Sequence, residues 1–258
     1  MKIFGLISYP IKHSFSASFF EKKFRNEKIN DACYKNFPLE NLKNFFELLN
    51  NYPNLKGLNV SIPHKKKIVN YIDEMDNISK NIGAVNTIKI LKRNNKFFLK
   101  SYNTDVYGFE KSFLKSLKKN AFLEKNFFLN KKALILGTGG SAQSVAYVFK
   151  KLHLNFYFVS RKPKEKNEIS FLDMNKNLIQ NVNFIVNATP IGMFPNVEKY
   201  PNIPYKFLNE KHFLFDLVYN PQITEFLKRG SFYNAKIQNG LDMLHFQAEK
   251  SWEIWTKN

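Results

Sequence analysis

Cysteine is almost missing from this chain: Cys33 stands alone among 258 residues. A single thiol excludes an internal disulfide framework and any cysteine-based metal cluster, and it suits a reducing, cytoplasmic setting. Long apolar runs are missing as well. Nothing approaches the roughly 20 consecutive apolar residues of a membrane-spanning helix, so no membrane partner is expected. Residues 1–16 are broken by Gly5 and Pro10 and lack an apolar stretch followed by a small-residue cleavage site, which predicts a soluble, unprocessed protein. The five histidines show no metal-ligand spacing, and no metal is expected. His13 and His64 read as local packing or hydrogen-bonding residues, while His153, His212 and His245 fall in helix or strand patterns without a chemical role.

Acidic residues are the minority charge, 21 Asp+Glu against 40 Lys+Arg, for a formal net charge of +19. Such a balance raises a nucleic-acid partner. The lysines, however, are spread along the whole chain among asparagines and 27 phenylalanines, which reads as a diffusely basic surface able to collect small anions. A basic nucleic-acid-binding protein would instead interleave aromatics with cations on one exposed sheet face. Most phenylalanines here fall in apolar runs such as "NFYFVS" and "HFLFDL", which read as core, so no nucleic-acid partner is expected.

What is present is an alternation of strands and helices. With 44% apolar residues the chain can bury a sizeable core. "MKIFGLIS" reads as a strand, followed by a helix opening near Ser16. "LKGLNVSI" reads as a strand ending at Pro63, with a helix over residues 65–72. "AVNTIKIL" and "KFFLKSYN" form two strands around a polar turn at residues 92–96. "TDVYGFEKSFLKSL" is a helix leading away from this first sheet. "KKALIL", "NFYFVS", "VNFIVNAT" and "HFLFDLVY" are further strands at βα spacing. The last segment is an amphipathic helix whose apolar face carries Leu241, Leu244, Ala248, Trp252 and Trp255. The pattern predicts an α/β fold with mostly parallel sheets. It divides into two domains, residues 1–103 plus 239–258 and residues 104–238, with the C-terminal helix returning to the first.

"ALILGTGGSA" places Gly137, Gly139 and Ala142 as G-x-G-x-x-A between an apolar strand and a helix. Gly137 allows the tight turn, Gly139 lets backbone N–H groups approach a diphosphate, and Ala142 permits close helix–strand packing at a helix N-terminus that favours negative charge. The next strand ends in Ser160, Arg161 and Lys162. Dinucleotide sites selective for NAD usually carry Asp or Glu here, and no acid appears before Glu165. Arg161 can bind phosphate in bidentate fashion, and Lys162 or Lys164 adds a point charge, which favours NADP. "NATPIGM", residues 187–193, follows another buried strand and suits a loop at the ligand-binding edge of such a sheet.

In the first domain, polar residues cluster near predicted strand ends. "HSFS" supplies Ser14 and Ser16, whose hydroxyls can cap a helix or hold a carboxylate. "NVSIPHK" supplies Asn59, Ser61 and Lys65, "AVNT" supplies Asn86 and Thr87, and "NTD" supplies Asn103 and Asp105. All could converge on one crevice.

These segments, in this order, resemble the shikimate dehydrogenase family. The match runs from "HSFS" through "NVSIPHK", "GAVNT", "NTDVYG", "LGTGGSA", "NATPIGM" and "DLVYNP" to "GLDMLHFQA", nearly the whole chain. The resemblance implies an N-terminal substrate domain completed by the C-terminal helix, a Rossmann-like NADP-binding domain, closure of the cleft between them, and reversible reduction of 3-dehydroshikimate to shikimate, a step of aromatic amino acid biosynthesis. It implies Lys65 and Asp105 as the catalytic pair, Ser14 and Ser16 on the substrate carboxylate, and Asn86, Asp105 and Gln247 on ring hydroxyls. Tyr219 is implied near the carboxylate and the nicotinamide, and Ser61 stands where the family usually has threonine. For the cofactor, the resemblance extends the set to Thr138, Gly140, Ser141, Ser160, Thr189, Gly192, Met193, Leu217 and Gly240. Of the three consecutive lysines, Lys65 holds the motif position, while Lys66 and Lys67 are expected to face solvent.

The chain departs from the family pattern at Ala17, where proline is usual, at Phe20 and Glu21, where a His-Asn pair is usual, and at Ser101, where glycine is common. None removes a catalytic group. They bear on pocket shape, and so on the choice between shikimate and quinate, which differs by a hydroxyl and a saturated ring. A quinate/shikimate dehydrogenase with relaxed substrate or cofactor use is the neighbouring alternative. Family members occur as monomers and homodimers, and both states stay open here.

Overall fold

A computed structural model of the chain describes residues 1–11, 14–94, 96–119 and 127–257. His13, and the packing role expected of it, lies outside the described residues. The chain divides into two compact units, Met1–Tyr107 with Gln247–Asn258, and Gly108–Phe246.

The first unit is built on β1 (Lys2–Ser8), β2 (Ala32–Pro38), β3 (Leu55–Val60), β4 (Glu74–Met75), β5 (Thr87–Arg93) and β6 (Lys96–Tyr102), in the order β2-β1-β3-β5-β6-β4. β1 runs parallel to β2 and β3. Only β5 is reversed, because it and β6 form a hairpin whose turn includes Asn94 at φ +49, a left-handed conformation that asparagine tolerates. Alternation along β1 sends successive side chains to opposite faces. Ile7 joins Phe45, Leu58, Ile68, Ile88 and Leu99 on one side. Phe4 joins Phe20, Phe24, Tyr34, Ala248 and Trp255 on the other. These last residues bring together α1 (Phe15–Asn26) and the end of α8 (Leu241–Thr256). Two short helices, α2 (Phe45–Asn51) and α3 (Asn77–Ile82), and the first turn of α4 (Thr104–Lys119) complete the unit.

Two expectations are corrected here. Residues 65–72 do not form an α-helix: a turn leads into a 3-10 stretch at Lys67–Tyr71. The carbonyl of Lys65, which an α-helix would use internally, instead accepts from Val85 N at 2.8 Å. On α8 the buried stripe is Met243, Gln247, Ala248, Ser251 and Trp255, whereas Leu241, Leu244 and Trp252 are only half-buried. Gln247 and Ser251 can be buried because they have hydrogen-bonding partners below them.

The second unit carries β7 (Lys132–Leu136), α5 (Gly140–Lys151), β8 (Asn155–Ser160), β9 (Glu168–Ser170), α6 (Lys176–Gln180), β10 (Phe184–Asn187), β11 (Phe213–Asp216), α7 (Glu225–Phe232) and β12 (Lys236–Gln238). All strands are parallel, in the order β9-β8-β7-β10-β11-β12. This is the doubly wound arrangement, with its switch point between β7 and β10. Among the described residues, thirteen phenylalanines are buried. Phe109 meets Phe215 edge to face at 5.1 Å and Phe113 meets Phe184 at 5.3 Å, each pair adding to the area it buries. His153 sits in a turn at φ +55, not in a helix or strand, and His212 is buried with Nε2 3.0 Å from Ile179 O. No helix of the described residues is long and apolar enough to cross a membrane.

Candidate active site

In the first unit, three chain segments place their polar residues side by side. Lys65 follows β3 after a turn, Asn86 precedes β5, and Asp105 lies in the first turn of α4, where the helix dipole favours a carboxylate. Lys65 Nζ donates to Asp105 Oδ2 at 2.6 Å, with the two side chains only 16% and 8% exposed. The other carboxylate oxygen, Oδ1, accepts from Asn86 Nδ2 at 2.8 Å. The Asn86 amide is itself oriented, since its Oδ1 accepts from Thr104 N at 2.7 Å and from Thr87 Oγ1 at 3.1 Å. A charged, sparsely hydrated ammonium is therefore held by a carboxylate whose two oxygens are both engaged. Such a group can stabilise an oxyanion and deliver a proton to it.

The other expected substrate residues take varied positions. Ser14 caps α1, its Oγ accepting from Ala17 N at 3.1 Å. The hydroxyl proton of Ser14 takes no part in that bond, and Ala17 supplies an N–H that a proline there would lack. Burial raises the pKa of the Tyr34 phenol, and the Ser16 hydroxyl moderates that rise. Ser61 is half-buried and pairs through its backbone with Ile7 and His64. Gln247 is buried on α8, its Oε1 3.5 Å from Thr104 Oγ1. Lys66 and Lys67 are exposed, as expected. His64 is buried with Nε2 2.6 Å from Leu39 O, a packing role. Asn103 binds Ala84 O at 3.0 Å and Val106 N at 3.4 Å, which ties down the start of α4. Tyr219 belongs to the second unit, half-buried, with burial raising its hydroxyl pKa. Ser101, a departure from the family pattern, is buried in β6, and its hydroxyl has no partner among the described residues. Tyr34, Thr104 and Ser251 were not foreseen in this cluster. Ser251 lies one helical turn beyond Gln247, which is the signal that could have found it.

In the second unit the glycine turn opens α5. Gly137 has φ +102, and a Cβ there would lie 3.0 Å from the Thr189 methyl, so glycine is needed for both conformation and packing. Gly139 is the N-cap of α5 with no side-chain cap, and a Cβ on it would meet nothing within 4 Å. Ala142 is fully buried. An open approach to a helix start, next to a turn that only glycine fits, suits the diphosphate of a dinucleotide. Arg161 and Lys162 are exposed just after β8. The acid that sequence spacing did not show is nearby: Glu168 on β9 accepts from Ser160 Oγ at 3.2 Å and Lys164 N at 3.0 Å, closing the loop that carries Arg161 and Lys162. Thr189 donates to Asn187 Oδ1 at 2.6 Å, Gly192 has φ +88, and Met193 is exposed. Leu217 and Gly240 are in contact: a Cβ on Gly240 would lie 2.2 Å from Leu217 O.

Asp216, at the end of β11, is a further buried carboxyl. It accepts from Thr224 Oγ1 at 2.6 Å, Val218 N at 3.0 Å and Asn187 Nδ2 at 3.0 Å. Burial nevertheless pushes its pKa from 3.8 up to about 7. The folded protein thus holds this proton more tightly than the unfolded chain does. The resulting stability is fully present below the unfolded value and is lost as pH rises through about 7. Asp216→Asn cannot ionise, so the unfolding free energy of wild type minus variant should rise as pH falls from about 8 to about 5. Denaturant titrations of both proteins across that range check it, and a constant difference would contradict it.

Among the described residues no group of three or more His, Cys, Asp or Glu is placed to hold a metal ion. Residues 6–88 match the family described as shikimate dehydrogenase substrate binding domain. The shikimate dehydrogenase (NADP(+)) of Methanococcus maripaludis is 37% identical over 99% of this chain and 92% of its own. A crystal structure of shikimate dehydrogenase 1 from Peptoclostridium difficile is 35% identical, with a TM-score of 0.81 over 99% of this chain and 91% of that one. The Thermus thermophilus shikimate 5-dehydrogenase, solved in complex with NADP(H) and shikimate, is 26% identical with a TM-score of 0.79 over 99% and 94% of the two chains. Full-length similarity at this level, on a fold with the same architecture, means that the chain belongs to the shikimate dehydrogenase family.

Proposed function

We propose that the chain is an NADP-dependent shikimate dehydrogenase, an oxidoreductase that reversibly reduces 3-dehydroshikimate to shikimate. The observation that carries this reading is the Lys65–Asp105–Asn86 arrangement, with the 2.6 Å ion pair at its centre. In the reducing direction the ketone oxygen gains negative charge as its carbon accepts hydride, which bound NADPH supplies. Lys65 stabilises that oxygen and gives it a proton. Asp105 holds Lys65 in place and accepts a hydrogen bond from a substrate hydroxyl. In the oxidising direction Lys65, as the neutral amine, takes the hydroxyl proton. Ser14 and Ser16 bind the carboxylate, while Ser61, Asn86 and Gln247 contribute to the ring hydroxyls. The first unit is assigned to the substrate and the second, with Tyr219, Arg161, Lys162 and the glycine turn, to NADP. The relative from Thermus thermophilus, solved with NADP(H) and shikimate, supports the choice of ligands. The enzyme is assigned to the cytoplasm, as a monomer or homodimer without nucleic-acid or membrane partners.

The test is formation of reduced cofactor from shikimate or quinate with NADP+ or NAD+, in all four combinations. Rapid turnover with shikimate and NADP+ alone is expected. Comparable rates with quinate or NAD+ would select the relaxed-specificity alternative, and no turnover in any combination would refute the reading. Removing the two exposed cations with Arg161→Ala/Lys162→Ala deletes charge-assisted contacts worth roughly 1.5–3 kcal/mol. The KM for NADP+ should therefore rise about 10- to 100-fold, with KM for NAD+ nearly unchanged. Equal effects on both cofactors would mean that these residues do not read the 2′-phosphate.

A further inference from the structure

Asp105 is also the end point of a longer buried chain of hydrogen bonds. Tyr34, on β2, donates from its hydroxyl to Asn59 Oδ1 at 2.8 Å, since an amide oxygen can only accept. That bond sets which way the Asn59 amide faces. Its Nδ2 then donates to Ser251 Oγ at 3.0 Å and to Thr87 Oγ1 at 3.3 Å. With an amide proton already directed at its oxygen, Thr87 gives its own proton to Asn86 Oδ1 at 3.1 Å. Together with Thr104 N, which donates to the same oxygen at 2.7 Å, this turns the Asn86 Nδ2 to Asp105 Oδ1 at 2.8 Å. Ser251 completes the set: it donates to Gln247 O at 3.0 Å and stands 3.2 Å from Thr104 Oγ1. Tyr34, Asn59, Thr87, Asn86 and Ser251 are all buried. From Tyr34 through Asn59 and Thr87 to Asn86 each donor points toward the carboxylate, so each bond in that run polarises the next. Ser251 anchors the run by accepting from Asn59 Nδ2 and donating to the Gln247 carbonyl.

We propose that Tyr34 and Ser251 are positioning residues for the reaction, which, through Asn59 and Thr87, hold the Asn86 amide and hence the Asp105 carboxylate in the orientation that pairs with Lys65. This inference rests on the function proposed above. Without the Tyr34 hydroxyl, the Asn59 oxygen has no donor and its amide is free to turn over. Thr87 would then donate to Asn59 in place of Asn86, leaving Asn86 Oδ1 to Thr104 alone and loosening the hold on the amide that faces the Asp105 carboxylate. Two further observations fit. Phe20 stacks on the Tyr34 ring at 4.6 Å and holds it in place. Ser16, a serine assigned to the substrate, acts on the same phenol, its hydroxyl moderating the pKa rise that burial imposes there.

The experiment is steady-state kinetics of Tyr34→Phe and Ser251→Ala with shikimate and NADP+, each also made in an Asp105→Asn background. A fall of about tenfold in kcat is expected for each single variant, with KM for shikimate changed less than threefold. In the Asp105→Asn background the same substitutions should change kcat less than twofold, because the carboxylate they position is gone. Equal fold-losses in both backgrounds would show a merely structural role and overturn the inference, as would wild-type kcat in both single variants. If Tyr34→Phe does not fold, Ser251→Ala carries the same comparison alone. An inactive wild-type enzyme overturns the proposed function and this inference with it, whereas an active wild type with unaffected variants overturns this inference only.

Discussion

Lys65→Ala is expected to lower kcat for shikimate oxidation about a thousandfold, with KM for NADP+ unchanged. The estimate combines loss of a positioned proton-transfer group, worth about 10²- to 10⁴-fold, with loss of a preorganised cation facing the oxygen, worth about 10²- to 10³-fold. The two contributions overlap because one ammonium provides both. Alanine also leaves Asp105, 8% exposed, with Asn86 as its remaining side-chain partner on Oδ1. Breaking a buried pair in this way costs about 3–5 kcal/mol of stability at the upper end. The variant must therefore be shown to be folded, by a thermal melt followed at the assay temperature. Turnover within tenfold of wild type in a folded variant would remove Lys65 from the proton-transfer role.

The second large effect concerns Asp105→Asn, which preserves size and shape. In the native arrangement both carboxylate oxygens accept, one from Lys65 Nζ and one from Asn86 Nδ2. An asparagine side chain has only one oxygen. Whichever way it turns, its NH2 group faces another donor, either the Lys65 ammonium or the Asn86 amide. The Lys65 charge also loses the Asp105 carboxylate from its surroundings while its side chain is only 16% exposed. A loss of about 10²- to 10³-fold in kcat is expected, with a change in KM for shikimate that is smaller but measurable because a substrate hydroxyl also loses its acceptor. Retention of more than a tenth of wild-type kcat would mean that the carboxylate charge is dispensable.

Much of this architecture was legible from apolar patterning, and the exceptions share a cause. The four strands with no counterpart in the sequence reading, β2, β4, β9 and β12, are the edge strands of the two sheets. An edge strand buries less and so carries a weaker apolar signal, as the mixed burial of "ACYKNFP" in β2 shows. The helix expected over residues 65–72 failed because a long-range bond from Val85 took the Lys65 carbonyl, which no local pattern encodes. The buried face of α8 was displaced for a different reason. Apolar periodicity counts Leu241 and Trp252 but not Gln247 or Ser251, and these two polar residues are buried through contacts with Thr104 and Asn59.

The site was readable to a similar depth. Lys65, Asn86 and Asp105 were singled out by motif, and they are hydrogen-bonded neighbours in the folded chain. Tyr34 and Ser251 were not, because their neighbours lie 25 and 192 residues away and neither stands in a motif. Glu168 escaped for the same reason: it lies beyond the span where an acid was sought, and β9 folds it back onto Ser160. The departures at Ala17 and Phe20 also gain a physical meaning. Ala17 provides the N–H that Ser14 caps, and Phe20 packs flat on Tyr34.

The central claim is hydride transfer between the carbinol carbon of shikimate and NADP+. It is tested most directly with shikimate carrying deuterium on that carbon, by mass spectrometry of the reduced cofactor after a single turnover. The account predicts NADPH heavier by one deuterium and a dehydroshikimate product that has lost it. Reduced cofactor without deuterium, or no reduced cofactor at all, would contradict it.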